Sequence, residues 1–148
     1  MTDEEYRYAE RVLYGYKRQS EKCAEMVLEI ADLRSKGDIH GQSYDVSVCV
    51  HGSVSDPVGR HVEEVMKREG RLRRMMKQVK VIERLRKDLE SGKVITITSP
   101  RNLLRILNDY YIAGATVSKF LEITHWVRST FYVRRRELVM IAGEYLRA

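Results

Sequence analysis

"YYIAGATVSKFLEITHWVRSTFYVRRRELV", residues 110–139, is the stretch on which the fold turns. Gly114 can end one helix. Thr116 can open the next, because a threonine hydroxyl at that position accepts from a backbone N–H two or three residues further on. Val117, Phe120 and Leu121 make that short helix, residues 117–122, apolar on one side, and a turn around "EITHW" follows. A longer helix begins near residues 127–130. Along it Phe131, Leu138, Ala142 and Tyr145 share a face that Val139 and Ile141 broaden, while Arg128, Ser129, Tyr132 and Arg136 turn away from it. A short helix, a tight turn and a longer basic helix outline a helix-turn-helix.

The residue types suit that outline. A helix lying in a groove must offer donors to base edges, and Arg128 and Arg135 carry guanidinium forks while Ser129 and Tyr132 carry hydroxyls. Phosphates at the rim need charge, which Arg101, Arg105, Lys119, Arg134 and Arg136 can supply. Leu107, Tyr111, Phe120, Leu121, Trp126, Phe131 and Leu138 are the expected core beneath them. The competing reading makes "RRR", residues 134–136, a solvated face with one arginine stem packed over that core.

The same stretch resembles the promoter-reading helix-turn-helix at the end of sigma factors. It more closely resembles the C-terminal part of the phage late-gene transcriptional regulators of the ArpU and RinA type. In those proteins a tyrosine and a glycine precede a threonine that starts the second helix, and a serine- and threonine-bearing run starts the recognition helix. Tyr111, Gly114, Thr116 and Thr130 fall on those positions, and Phe120 falls on the buried isoleucine of the second helix. The chain departs from the pattern at Leu121, where the family has a small alanine, at His125, where it has the turn glycine, and at Val127, where it has a capping serine. Trp126 takes the place of the next apolar core residue. A valine has no side-chain acceptor, so Ser129 becomes the expected cap of the last helix. The resemblance implies double-stranded DNA as partner, with the recognition helix over about residues 127–146, and host RNA polymerase as a further contact.

Upstream, "SGKVITITSP", residues 91–100, interrupts the helical pattern. Gly92 can close a helix, the β-branched run Val94–Thr98 prefers an extended path, and Ser99 with Pro100 can open the helix over 100–112. Residues 93–99 are therefore the expected linker between a stem, residues 1–92, and a three-helix domain, residues 100–148. In the stem, Tyr6, Ala9, Leu13, Tyr16, Ser20, Cys23, Val27 and Ile30 recur at spacings of three and four, a narrow stripe that calls for one partner helix. Val58, Val62, Val65, Leu72, Met76 and Val79 provide it beyond Asp56 and Pro57, with a register shift near Ile82, Leu85 and Leu89. The fold expected is all-α: a long antiparallel helical hairpin, coiled-coil-like, followed by the helix-turn-helix domain. Residues 35–55 are expected to connect the two long helices as a loop, with a short strand possible around Val46, Val48 and Val50. Tyr8, Val12, Tyr14, Met66 and Met75 leave apolar surface for a homodimer.

Charge supports a polyanionic partner. The net charge is +6, and its distribution is uneven: residues 1–34 hold eight acids and six bases, residues 60–93 twelve bases and six acids, residues 101–148 eight bases and four acids. Cys23 and Cys49 form no metal-spaced cluster, and no stretch is apolar enough for a membrane span, so a cytoplasmic protein without metal or cofactor is expected. Neither a nucleotide-binding glycine loop nor a catalytic motif points to an enzyme. Asp38, His40, Asp45, His51 and Asp56 gather in the connector, where turn and surface roles suit them better than a catalytic one. The expected function is DNA-binding transcription regulation of phage type. The alternatives are a small-terminase-like DNA-packaging adaptor and a helical interaction protein that binds no DNA.

Overall fold

The computed structural model describes residues 1–43 and 57–148, and each regular element among them is a helix. α1 spans Asp3–Ser43 and α2 spans Pro57–Ser91. α3 begins as Pro100–Arg105 and continues without a break into a π-helical stretch, Ile106–Ile112. α4 spans Val117–Thr124 and α5 spans Arg128–Arg147. The described residues form an all-helical structure, as their periodicities suggest, with no strand among them.

α1 opens with a reciprocal capping arrangement: the Glu5 N–H donates to Thr2 Oγ1 at 3.2 Å, and the Thr2 N–H donates to Glu5 Oε2 at 2.8 Å. The helix also runs further than expected, through residues 35–43, which the sequence reading assigns to a loop. A helix already propagating gains a hydrogen bond for each residue it adds, so the two glycines in that stretch lower its stability without ending it. Val46, Val48, Val50, Asp45, His51 and Asp56 lie outside the described residues, as do the side chains of Asp38 and His40.

Burial corrects the expected stripes. Ala9, Leu13, Tyr16, Cys23 and Ile30 are buried as expected, but Val12 and Met26 join them, while Val27 stays 49% exposed. On α2, Val65, Val79, Ile82, Leu85 and Leu89 are buried, whereas Val58 and Val62 remain in solvent.

The chain forms two compact units, Met1–Gln19 together with Lys77–Ala148, and Ser20–Met76. The division falls inside α1 and α2 and not at residues 93–99. In the first unit the start of α1 and the end of α2 share a core with α3, α4 and α5. Ala9 of α1 lies so close to α5 that a Cβ built on the buried Gly143 would stand 3.7 Å from the Ala9 Cβ. Tyr8 accepts from Gln78 Nε2 at 3.0 Å, and the Tyr145 hydroxyl donates to Asp88 Oδ2 at 2.6 Å. The second unit carries ion pairs from Arg68 to Glu29 and to Glu64, each at 3.0 Å, and from Arg34 to Glu69.

Residues 93–99 take an irregular path with an alternation of its own. Val94, Thr96 and Thr98 are half-buried, while Ile95 and Ile97 are 99% and 100% exposed. Glu137 of α5 holds this segment, accepting from the Ile97 N–H at 2.6 Å and from the Thr98 N–H at 3.2 Å.

Candidate nucleic-acid interface

The path from α3 into α5 is set by three local devices. The π-helical stretch widens the turn, so that Ile106, Leu107, Tyr110 and Tyr111 are all buried, and the Ala113 N–H reaches back to the Asn108 carbonyl at 2.9 Å. Gly114, at φ 76°, then reverses the chain in the left-handed region that costs a glycine little. Thr116 caps α4, its Oγ1 accepting from the Lys119 N–H at 3.2 Å, as the sequence suggests. α4 runs two residues past its expected end, to Thr124, and His125 closes it in the left-handed conformation at φ 60° while donating its N–H to the Leu121 carbonyl at 2.8 Å. His125 thus does conformationally what a glycine would do more cheaply at this position.

α5 begins at Arg128, with Val127 in the cap position and no side chain accepting from its first turn. Ser129 is therefore inside the helix and not its cap, which corrects the expectation drawn from the valine. Tertiary packing fixes the start: Phe131 is fully buried and its N–H bonds to the Val127 carbonyl at 3.0 Å, so Arg128 must already be helical. The leading N–H groups of a 20-residue helix are left open at the surface, where the helix dipole favours an anion.

Of the residues expected to read bases, Arg128, Ser129 and Tyr132 are exposed on the first turns of α5. Arg135 is not free. Its side chain is 20% exposed, one guanidinium nitrogen lies 3.0 Å from Glu10 Oε1, and another donates to the Tyr110 hydroxyl at 3.4 Å. The contact with Glu10 is ionic and not an aligned hydrogen bond. The Tyr110 hydroxyl in turn shares a 2.5 Å hydrogen bond with that of Tyr14, so Arg135 belongs to an internal chain of polar groups that links α1, α3 and α5. Burial pushes the Tyr14 phenol well above its usual range, and the bond to Tyr110 raises it further. Burial does the same to Tyr111, whose hydroxyl has no hydrogen-bond partner among the described residues.

The residues expected at phosphates divide similarly. Arg101, Lys119 and Arg136 are exposed and pair with no acid among the described residues. Arg105 lies 3.7 Å from Asp109 one turn on, a weak surface pair. Arg134 lies over the Trp126 ring, 4.3 Å from its centroid, so its charge is partly engaged. Of the expected core, Leu107, Tyr111, Phe120, Phe131 and Leu138 are buried, but Leu121 and Trp126 are half-buried. Trp126 packs edge-on against Phe120 at 5.3 Å and leaves its outer face for Arg134.

Val133, an apolar residue that the chemistry of donors and charges does not single out, is 68% exposed. It stands four residues after Ser129 and three before Arg136, so helical spacing alone puts it beside them on the free face. Nothing local in α1 marks Glu10, whose partner lies on the last helix, and Tyr14, read from the sequence as apolar surface, bonds the Tyr110 hydroxyl instead. Among the described residues no group of His, Cys, Asp and Glu gathers as a metal would need, and no helix is long and apolar enough to cross a membrane. No protein-family model, no curated protein and no solved structure matches this chain.

Proposed function

We propose that the chain is a sequence-specific DNA-binding transcription regulator of the phage late-gene kind. On this reading α3, α4 and α5, residues 100–148, form a helix-turn-helix domain with α5 in the major groove. The start of α1 and the end of α2 complete its core, and residues 20–76 supply spacing, oligomerisation or contact with host RNA polymerase.

One observation carries the reading. The first turns of α5 present Arg128, Ser129, Tyr132, Val133 and Arg136 on an open face, behind an uncapped helix start and a tight αL turn. That combination joins base-edge donors, an apolar contact for a thymine methyl and a phosphate-binding helix end within about two and a half turns. Arg101 and Lys119 add free positive charge on α3 and α4. Arg135 drops out of the base-reading set because Glu10 and Tyr110 hold it, and Val133 and Arg136 take its place.

The test is a selection from random duplexes with the full chain, followed by anisotropy titrations between about 50 and 300 mM salt. An enriched motif is expected. Arg128→Ala with Tyr132→Ala should cost about 1–3 kcal/mol on that motif and relax its preference at individual bases. Arg101→Ala with Lys119→Ala should instead weaken all sequences alike and flatten the salt dependence. Absence of any enriched motif, with weak binding unchanged by either pair, overturns the reading.

A helical interaction protein that binds no DNA is favoured by one fact: two of the three consecutive arginines, Arg134 and Arg135, serve internal contacts. It predicts no salt-dependent binding to any duplex.

A further inference from the structure

The unit Ser20–Met76 has two chemically different sides. On one, Lys22 and Glu29 of α1 face Arg60, Arg68, Arg71 and Arg74 of α2 across an open charged groove of about 820 Å³. On the other, Arg34 meets Val58, Val62 and Met66.

The rotation of the two helices explains this. Cys23, Met26 and Ile30 form the buried row of α1. Turning from that row in the helix's own sense, at about 100° per residue, Arg34 comes first, neutralised by Glu69 of α2, and then Val27, Ala31, Ala24 and Leu28. The last four are exposed, Leu28 to 72%. On α2 the same turn from Val65 leads to Val58, Val62 and Met66, exposed to 41%, 49% and 64%. In antiparallel neighbours the same rotational sense leads to the same side, so both apolar arcs open opposite the charged groove.

We infer that this face is a two-fold interface, and that a second copy of the chain covers it to make a four-helix bundle. Three properties of the face select a second copy. The five large side chains Val27, Leu28, Val58, Val62 and Met66 expose roughly 500 Å² of surface, so a symmetric pair that covers them fully buries on the order of 1,000 Å², the low end of specific interfaces. The face is self-complementary in shape: α1 offers the small Ala24 and Ala31, and α2 offers the larger Val62 and Met66. It is self-complementary in charge as well. Glu21 borders the α1 arc and Arg73 borders the α2 arc, so the two-fold that lays α1 of one copy on α2 of the other sets acid on the side of base.

The inference stands apart from DNA recognition, since it is measured without nucleic acid. The full chain at about 100 µM, far above the Kd of a micromolar interface, is expected to sediment as a dimer. Leu28→Glu with Met66→Glu is expected to sediment as a monomer of unchanged helicity by circular dichroism, while Lys22→Glu on the opposite side remains dimeric. Should the glutamate pair unfold, Leu28→Ala with Met66→Ala carries the test, with a Kd raised by at least about tenfold. A monomeric wild type overturns the inference, as do a ring of more than two copies and an alanine pair that dimerises as tightly as the wild type.

Discussion

The guanidinium of Arg135 lies 3.0 Å from the carboxylate of Glu10, which ties the last helix to the first across most of the chain. Both side chains are about four-fifths withdrawn from solvent, so removing one leaves the other half-buried and unpaired. Arg135→Ala is expected to destabilise the fold by about 2 kcal/mol, less than a fully buried pair would lose because water still reaches both groups. Urea denaturation measures this. DNA affinity, read where the variant is fully folded, should stay within about twofold, whereas Arg128→Ala should lower affinity and leave stability unchanged.

Alkali should unfold the protein through its tyrosines. Burial, and then the hydrogen bond to Asp88, push the Tyr145 phenol up to about 12 from an ordinary 10.0. Burial raises Tyr14, Tyr16 and Tyr111 in the same direction. The folded state therefore keeps protons that the unfolded state releases. The stability these groups contribute is complete below pH 10 and is lost as pH rises from there through 12 and beyond. Tyrosinate absorbance should show these four tyrosines ionising only with unfolding. Ionisation of these four near pH 10 while the protein is still folded would contradict it.

Tyr111 buries a hydroxyl that no described group accepts from or donates to. Tyr111→Phe keeps the ring and its packing 4.8 Å from Tyr14, and removes the desolvated group. Its urea midpoint should be equal to that of the wild type or higher, by up to about 1 kcal/mol. A loss of more than about 1 kcal/mol would place a bound water on that oxygen.

Two turns can be tested in opposite directions. His125 holds φ 60° with a Cβ, so His125→Gly should stabilise by about 0.5–1 kcal/mol. Gly114 holds φ 76°, and Gly114→Ala should destabilise by about 1 kcal/mol although nothing stands within 4 Å of the added Cβ. Denaturant midpoints at unchanged slope check both.

Glu137 is the tether of residues 93–99. Glu137→Ala removes the acceptor of the Ile97 and Thr98 amides, and their hydrogen exchange should rise by at least about tenfold, with little change at the Phe120 amide. Equal protection in the variant would show that packing of Val94 and Thr96 holds the segment instead.

Much of this protein is determined by local sequence. Helical class, the Thr116 cap, the Gly114 and Gly92 breaks and the burial of Phe120, Phe131 and Leu138 follow from hydrophobic spacing and backbone stereochemistry, which act over a few residues. Position on α5 likewise decides that Arg128, Ser129, Tyr132, Val133 and Arg136 face outward. Only the tertiary structure decides that Arg135 turns inward, because its partners Glu10 and Tyr110 lie on other helices and an ion pair leaves no periodic trace in sequence. It also decides that α1 begins inside the core of the C-terminal helices, and that Val27 and Val62 stay in solvent while Val12 and Met26 do not. A heptad-like stripe specifies that a helix has partners, and the rotation that chooses among neighbouring apolar residues is settled by what those partners bury.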